Sequence, residues 1–228
     1  MKNYKSNINY FMKWEGLKSL GLGMLIVGFG SLWLARNPYM WIGGGALLAI
    51  GAVLFLLGNI GRSTEEEIKA EIARRSEGIE FPEVEKERHF YKRVPAKPEI
   101  LKFSGFSLSE GLLLKKMKNG SICSSEYRVA RVFLLTDAFY LKTRTFSLVS
   151  DVLEEETLEI PFSTVEEVAV LRETKTLPYG KKAFSVKPCH LVVLFDGGKK
   201  LYLPADDDVY VDELAARLKK LTAIAKSK

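Results

Sequence analysis

Two apolar runs dominate the pattern of hydrophobic and polar positions. Residues 17–34 read LKSLGLGMLIVGFGSLWL and residues 40–60 read MWIGGGALLAIGAVLFLLGNI. Neither holds an acid, and their one base is Lys18, at the start of the first run. Crossing a hydrocarbon core of about 30 Å takes about 20 helical residues, so each run is long enough to span. In lipid a backbone must satisfy its own hydrogen bonds, which predicts two helices. Only Ala35-Arg36-Asn37-Pro38-Tyr39 separates them, and so short a turn makes a helical hairpin.

The aromatic residues agree with a bilayer. Trp33, Tyr39 and Trp41 flank the turn, while Tyr10, Phe11 and Trp14 precede the first run. Amphipathic rings favour the headgroup level, so Tyr10, Trp14, Trp33, Tyr39 and Trp41 are expected at the membrane interface. The rival for the first run is a cleaved leader, but its apolar core is longer than the usual leader core of about 7–15 residues, and Trp33-Leu34-Ala35 is a poor cleavage site. Small residues are dense in both runs. Ser19 with Gly23, and Gly45 with Ala49, have the spacing that lets helix backbones approach closely. The simplest use is packing of the two spans on each other; the alternative adds a second protein or another copy. No ionisable group lies mid-span, which leaves a proton relay or ion path without support.

Beyond the hairpin the period changes. Residues 63–76 (STEEEIKAEIARRS) predict a short helix, with Ser63 and Glu66 as capping box, acids in the first turn and Gly78 as its stop. Residues 79–103 carry Pro82, Pro95 and Pro98 among alternating charges and read as a semi-rigid spacer. From residue 105 the chain is strand-like, with β runs at 111–117, 125–135, 139–148, 157–160, 165–172, 190–195 and 200–203. Asn119-Gly120 and Asp196-Gly197-Gly198 mark hairpin turns. Then Val211, Leu214, Ala215, Leu218, Leu221 and Ala225 fall on one helical face, with Asp206, Asp207 and Asp208 as cap and dipole partners. A triple Asp could also suggest a divalent metal, but helix-start chemistry is the stronger reading. The expected fold is therefore a membrane protein of α+β class: a two-span hairpin, then a barrel or sandwich of about seven strands with a C-terminal helix. The divisions are 1–16 (basic and aromatic), 17–60 (hairpin), 61–104 (juxtamembrane helix and spacer) and 105–228.

Charge changes the picture once it is divided. The formal net charge is +6. Residues 1–18 hold four lysines against one glutamate, and Arg36 adds one more charge, whereas residues 105–228 hold nineteen bases against seventeen acids. The excess lies beside the apolar runs, where anionic lipid attracts it at about 1 kcal/mol per residue. A nucleic-acid partner would instead need a basic stripe on the folded part. Lys2, Lys5 and Lys13 before the first run, Lys18 at its start and Arg62 after the second outnumber Arg36 in the turn. Both termini are therefore expected to be cytoplasmic, at the inner membrane. Cys123 and Cys189 stand in no motif, as in a reducing compartment. The two histidines offer little chemistry: His89 has no nameable partner, and His190 follows Cys189 directly, so on a strand the two face opposite sides. With no phosphate loop, zinc spacing or nucleophile elbow, neither a cofactor nor catalysis is expected.

Two segments carry a family resemblance. Residues 132–141 (VFLLTDAFYL) resemble the "LTD-x-x-L/Y" hairpin of bacterial pleckstrin-homology (PH/GRAM-like) domains, and residues 159–168 (EIPFSTVEEV) resemble their "I-P-Y-x-x-I-x-x-V" segment. The resemblance covers roughly the C-terminal half of the chain. It implies two sheets packed nearly at right angles, with one open end plugged by Leu214, Leu218 and Leu221. It also implies a protein-interaction platform or a binder of phosphoinositides and other anionic headgroups. Lipid-binding members carry a K-x(n)-K/R-x-R pattern on the first hairpin. Here Lys115, Lys116 and Lys118 stand there, Arg128 and Arg131 depart from the K/R-x-R spacing, and Lys142 and Arg144 share a strand face. Lys115, Lys116, Lys118, Arg128, Lys142 and Arg144 are thus the candidate anionic-ligand residues. The favoured expectation is a non-catalytic, membrane-anchored module that docks a protein partner or itself. Headgroup sensing is the alternative, and an accessory subunit of a transport or secretion complex a further one.

Overall fold

A computed structural model describes residues 4–12, 16–87, 90, 92–179, 182–206 and 209–227. The chain is α+β, with two long apolar helices, then sheets, then a C-terminal helix, and it divides into compact units at residues 1–68 and 69–228.

In the first unit, α1 (Lys5–Met12) precedes α2 (Gly16–Trp33) and α3 (Pro38–Asn59). The turn is set by its sequence: Asn37 caps α3, its side chain accepting from the Met40 N–H at 3.0 Å, and Pro38 takes the first helical position, where no N–H is needed. Glycine brings the antiparallel pair together. A Cβ on Gly21 would lie 2.5 Å from the Phe55 nitrogen, and one on Gly51 would lie 2.9 Å from the Gly21 carbonyl oxygen. Gly28 and Gly44 meet Leu48 and Leu32, and Gly58 meets the Lys18 backbone. Gly21 and Gly28, like Gly44, Gly51 and Gly58, recur every seventh position, which holds a seam on one face of each helix.

The seam is not the one expected from Ser19, Gly23, Gly45 and Ala49. All four are exposed, and a Cβ on Gly23 or Gly45 would meet nothing within 4 Å. One residue is about 100° of helix, so Gly23 and Gly45 point well away from Gly21 and Gly44. Both α2 and α3 are long and apolar enough to cross a membrane, and only 11% of each apolar window is buried within the protein.

Helix α1 docks on the segment after α3. Ser63 Oγ donates to Asn7 Oδ1 at 2.7 Å, the Ser63 N–H donates to the Ser6 carbonyl at 3.1 Å, and Asn9 Nδ2 donates to the Gly61 carbonyl at 2.7 Å. This buries Tyr10 and Phe11 edge to face, with Arg62 over the Tyr10 ring. Because Ser63 is engaged there, the capping box of α4 (Glu65–Ser76) falls one residue later than expected. The Thr64 N–H donates to Glu67 Oε2 at 2.8 Å, and the Glu67 N–H donates to Thr64 Oγ1 at 3.2 Å.

In the second unit seven strands form two antiparallel sheets. The first has the order β1 (Ile100–Phe106), β4 (Glu126–Leu134), β5 (Ala138–Ser147), β6 (Leu153–Pro161). The second has the order β11 (Lys199–Ala205), β10 (Cys189–Phe195), β7 (Val165–Arg172). No hydrogen-bonded strand joins them among the described residues, so the sheets form a sandwich rather than a closed barrel. Period-two alternation sends Leu101, Val132, Leu141, Leu191 and Leu203 into one core, which α6 (Val209–Lys226) covers with Val211, Leu214 and Leu218. Asp212 in the first turn of the helix pairs with Arg172, and Arg217 at its middle pairs with Glu99. Two further hairpins stand between strands of the sheets: β2 (Leu114–Lys116) with β3 (Ile122–Ser124), and β8 (Lys175–Tyr179) with β9 (Lys182–Val186). Both sequence-read turns are present, with positive φ at Gly120, Asp196, Gly197 and Gly198.

The expected strands and the observed ones differ in membership. Residues 111–117 supply only the small β2 hairpin, while the first sheet begins with β1, inside the stretch read as spacer. Pro95 and Pro98 obscured it, although both precede the strand and leave its ladder intact. Nor does the sequence before it hang loose. Phe81 (just before α5, Pro82–Lys86), Val84 and Phe90 are buried against Phe133, Leu135 and Ala138, on the face of the first sheet opposite the main core.

Candidate functional site

The six expected bases do not gather, because strand alternation divides them. On β4 the residues Arg128, Ala130 and Val132 share the inner side, since Ala130 and Val132 belong to the main core. On β5 Lys142 and Arg144 share the outer side with Tyr140. Lys115 is buried in β2, and Lys116 and Lys118 are exposed on its hairpin.

Lys142 and Arg144 are engaged in holding the chain that precedes the sheet. Lys142 Nζ lies 2.7 Å from a Glu83 carboxylate oxygen and donates to the Glu80 carbonyl at 2.8 Å. Arg144 pairs with Glu155 at 2.6 Å and donates to the carbonyls of Arg75 at 2.9 Å and Glu77 at 2.6 Å. Arg75 in turn donates to the Ser147 carbonyl and stacks 4.8 Å above the Phe146 ring. Burial works to raise the Glu83 carboxyl, but hydrogen bonds from Lys142 and Tyr140 outweigh it and hold the group below the ordinary carboxylate range. These two bases act as clasps, and an anion would have to displace carboxylates and carbonyls to reach them.

Arg128 is placed differently. It opens into a cleft of about 290 Å³ at one end of the sandwich, where the end of β1, the start of β4, the end of β7, the start of β10 and the end of β11 come together. Lys175, His190 and Glu173 supply the other ionisable groups, and Phe106, Leu171, Pro188, Tyr202 and Pro204 the apolar wall. The close approach of β1 to β11 depends on Gly105, where a Cβ would stand 2.9 Å from the Pro204 Cβ. The Arg128 Nε is buried without a hydrogen-bond partner, and no acid among the described residues is ion-paired to its guanidinium. His190 packs edge to face on Tyr202, ring centres 6.0 Å apart.

Alternation explains the split between Cys189 and His190: the thiol side enters the core and the imidazole enters the cleft, so the two are not a dyad. Among the described residues no three His, Cys, Asp or Glu side chains gather as metal ligands. Trp33, Tyr39 and Trp41 are exposed around the turn, whereas Tyr10 is buried at 2% exposure because α1 docks. Trp14, Lys2, Lys13, His89, Asp207 and Asp208 lie outside the described residues. Sequence reasoning named Arg128 but missed Lys175, Glu173, Gly105 and Tyr202, which come from three strands and the β7–β8 connection and form no local motif.

The cleft has a titration signature. Burial first, then the charges of Lys175 and Arg128, hold the His190 imidazole below the ordinary histidine value, with Glu173 opposing. A depressed folded-state value means that the unfolded chain binds the proton more readily. This contribution to stability is present above about pH 6.5 and is lost as pH falls toward the folded-state value. In a His89→Gln variant the remaining imidazole should titrate with a midpoint under about 6.5 by proton NMR. A midpoint at or above that value would mean that the cleft's basic field is not felt.

Comparison with protein-family models, curated proteins and solved structures gives no match for this chain.

Proposed function

We propose that the chain is a membrane-anchored, non-catalytic docking module. In this reading α2 and α3 span the inner membrane with both termini cytoplasmic, and the β-rich unit engages a protein partner or a second copy of itself. The observation that carries it is the outward face of the hairpin: Ile26, Val27, Phe29, Trp33, Tyr39, Trp41, Ile42 and Val53 are each more than half exposed. Water would penalise so continuous an apolar surface, and a bilayer would not. The glycine seam supports paired spans rather than a cleaved leader, since α2 is fitted backbone to backbone on α3. A tethered unit meets membrane-bound partners at high effective concentration, so a modest interface suffices.

The PH-like reading draws support from the arrangement of four strands, three strands and one terminal helix. The LTD segment turns β4 into β5, and the Pro161-Phe162 segment carries the chain from one sheet to the other through a 3-10 turn (Phe162–Thr164), with Phe162 edge to face on Phe139 at 4.7 Å. Headgroup binding by the six bases acting together loses support, because Arg128 lies on the opposite sheet face from Lys142 and Arg144, which are clasped, and Lys115, Lys116 and Lys118 lie on a separate hairpin.

In membranes prepared from expressing cells, the full chain should resist alkaline carbonate and require detergent for release. A tag after residue 228 should be unreachable from outside intact cells, and gentle detergent extraction should bring down a stoichiometric partner or a homo-oligomer. Recovery in the soluble fraction without detergent overturns the anchor; a clean monomer from native membranes overturns the docking role.

A further inference from the structure

We propose that the cleft bounded by Arg128, Lys175 and His190 is a binding site for a phosphate monoester group. The cleft lies on the inner side of the first sheet, apart from the clasped Lys142 and Arg144 on its outer side. The side chain of Arg128 lines it, and its buried Nε–H finds no acceptor among the described residues. Buried donors are nearly always satisfied, so such an orphan marks a place where an acceptor is supplied from outside.

The neighbouring groups specify that acceptor. A guanidinium fork, an ammonium and an imidazole converge on one cavity, against the single carboxylate of Glu173. Guanidinium groups pair with carboxylate or phosphate oxygens through two parallel hydrogen bonds, and a tetrahedral dianion has further oxygens left for Lys175 and His190. A carboxylate has only two oxygens and one charge, and so leaves part of this donor set unused. The volume of about 290 Å³ admits a phosphate with a small substituent, which the Phe106, Tyr202 and prolines of the wall would flank. The phosphate could belong to a soluble monoester or to a lipid such as phosphatidic acid; the chemistry at Arg128 is the same.

The test uses the full chain in nanodiscs of neutral phosphatidylcholine, titrated calorimetrically with inorganic phosphate and with glycerol 3-phosphate at constant ionic strength. Saturable one-to-one binding is expected, weakened at least tenfold by Arg128→Gln and unaltered by Arg131→Gln, which changes an arginine on the outer side of the same strand. Should Arg128→Gln fail to fold, Lys175→Gln, at an exposed position, is expected to weaken binding severalfold, and the His190 ring resonances of the unmutated chain should shift on saturation. Replacing a fifth of the lipid by phosphatidic acid identifies the source. Arg128-dependent competition with glycerol 3-phosphate assigns the cleft to a lipid phosphate, and unchanged affinity assigns it to a soluble one. Absence of saturable binding, equal affinity in the Arg128 and Lys175 variants, or an unmoved His190 signal at saturation overturns the proposal.

Discussion

Gly51→Leu should cost the hairpin about 3 kcal/mol or more, at or beyond the upper end for overpacked sites, because the atoms it meets are largely backbone. A Cβ there already lies 2.9 Å from the Gly21 oxygen and from the Leu25 nitrogen, and 3.0 Å from the Met24 Cβ, before the rest of the leucine is added. Close van der Waals contact holds the two helices together, and separating them forfeits it along the whole seam. The comparison is Gly45→Leu, where a Cβ meets nothing within 4 Å. Unfolding of the full chain in mixed detergent micelles should show a marked loss for Gly51→Leu and little change for Gly45→Leu. Equal effects would mean that the helices do not meet at Gly21, Gly28, Gly44 and Gly51.

Phe90→Ala should release the stretch before the first sheet. Phe90 is 2% exposed, packs on Tyr140 with ring centres 5.1 Å apart, and shares its cluster with Phe81, Val84 and Phe133. Truncating a buried phenylalanine costs about 3–5 kcal/mol. The local stretch opens before the whole unit does, so the loss appears first as exposure of peptide bonds near Lys86 and Arg93. Where opening and closing outpace cleavage, proteolysis tracks the open population, and this loss corresponds to a rise of roughly 100-fold or more in tryptic cutting. Val152→Ala, at a position 57% exposed, should leave the rate unchanged. A semi-rigid spacer would give no difference between the two variants.

That stretch shows where sequence reasoning held and where it stopped. The two apolar runs were read within a residue or two of α2 and α3, because an uninterrupted run of one polarity needs no tertiary information. Strands β4, β5, β7 and β10 were legible for a related reason: their alternation reports one buried face. Strand β1 was hidden by the prolines ahead of it, and residues 79–94 looked like a spacer because their few apolar positions follow neither helix nor strand period. What holds Phe81, Val84 and Phe90 is the outer side of a sheet, supplied by Phe133 and Tyr140 more than forty positions later. The cleft was legible only in Arg128. Which face a base occupies depends on register, and whether Lys142 meets solvent or Glu83 depends on a neighbour that no spacing rule connects to it. The same holds for the glycines: their density was visible, but which seven-residue set faced the partner helix required the helices themselves.

The acidic run at residues 154–156 is explained by where β6 ends the first sheet. Glu154, Glu155 and Glu156 pair on one side with Thr145, Arg144 and Thr143, and among the described residues no strand is hydrogen-bonded to the other side. At the far end of the second sheet β7 lies under α6, while β1 and β11 run side by side. The β6 margin is therefore an edge of the first sheet, and Glu154 and Glu156, on either side of the paired Glu155, make it repel an identical rim. Mutual electrostatic rejection along this border works against ribbon-like polymerisation through paired edges.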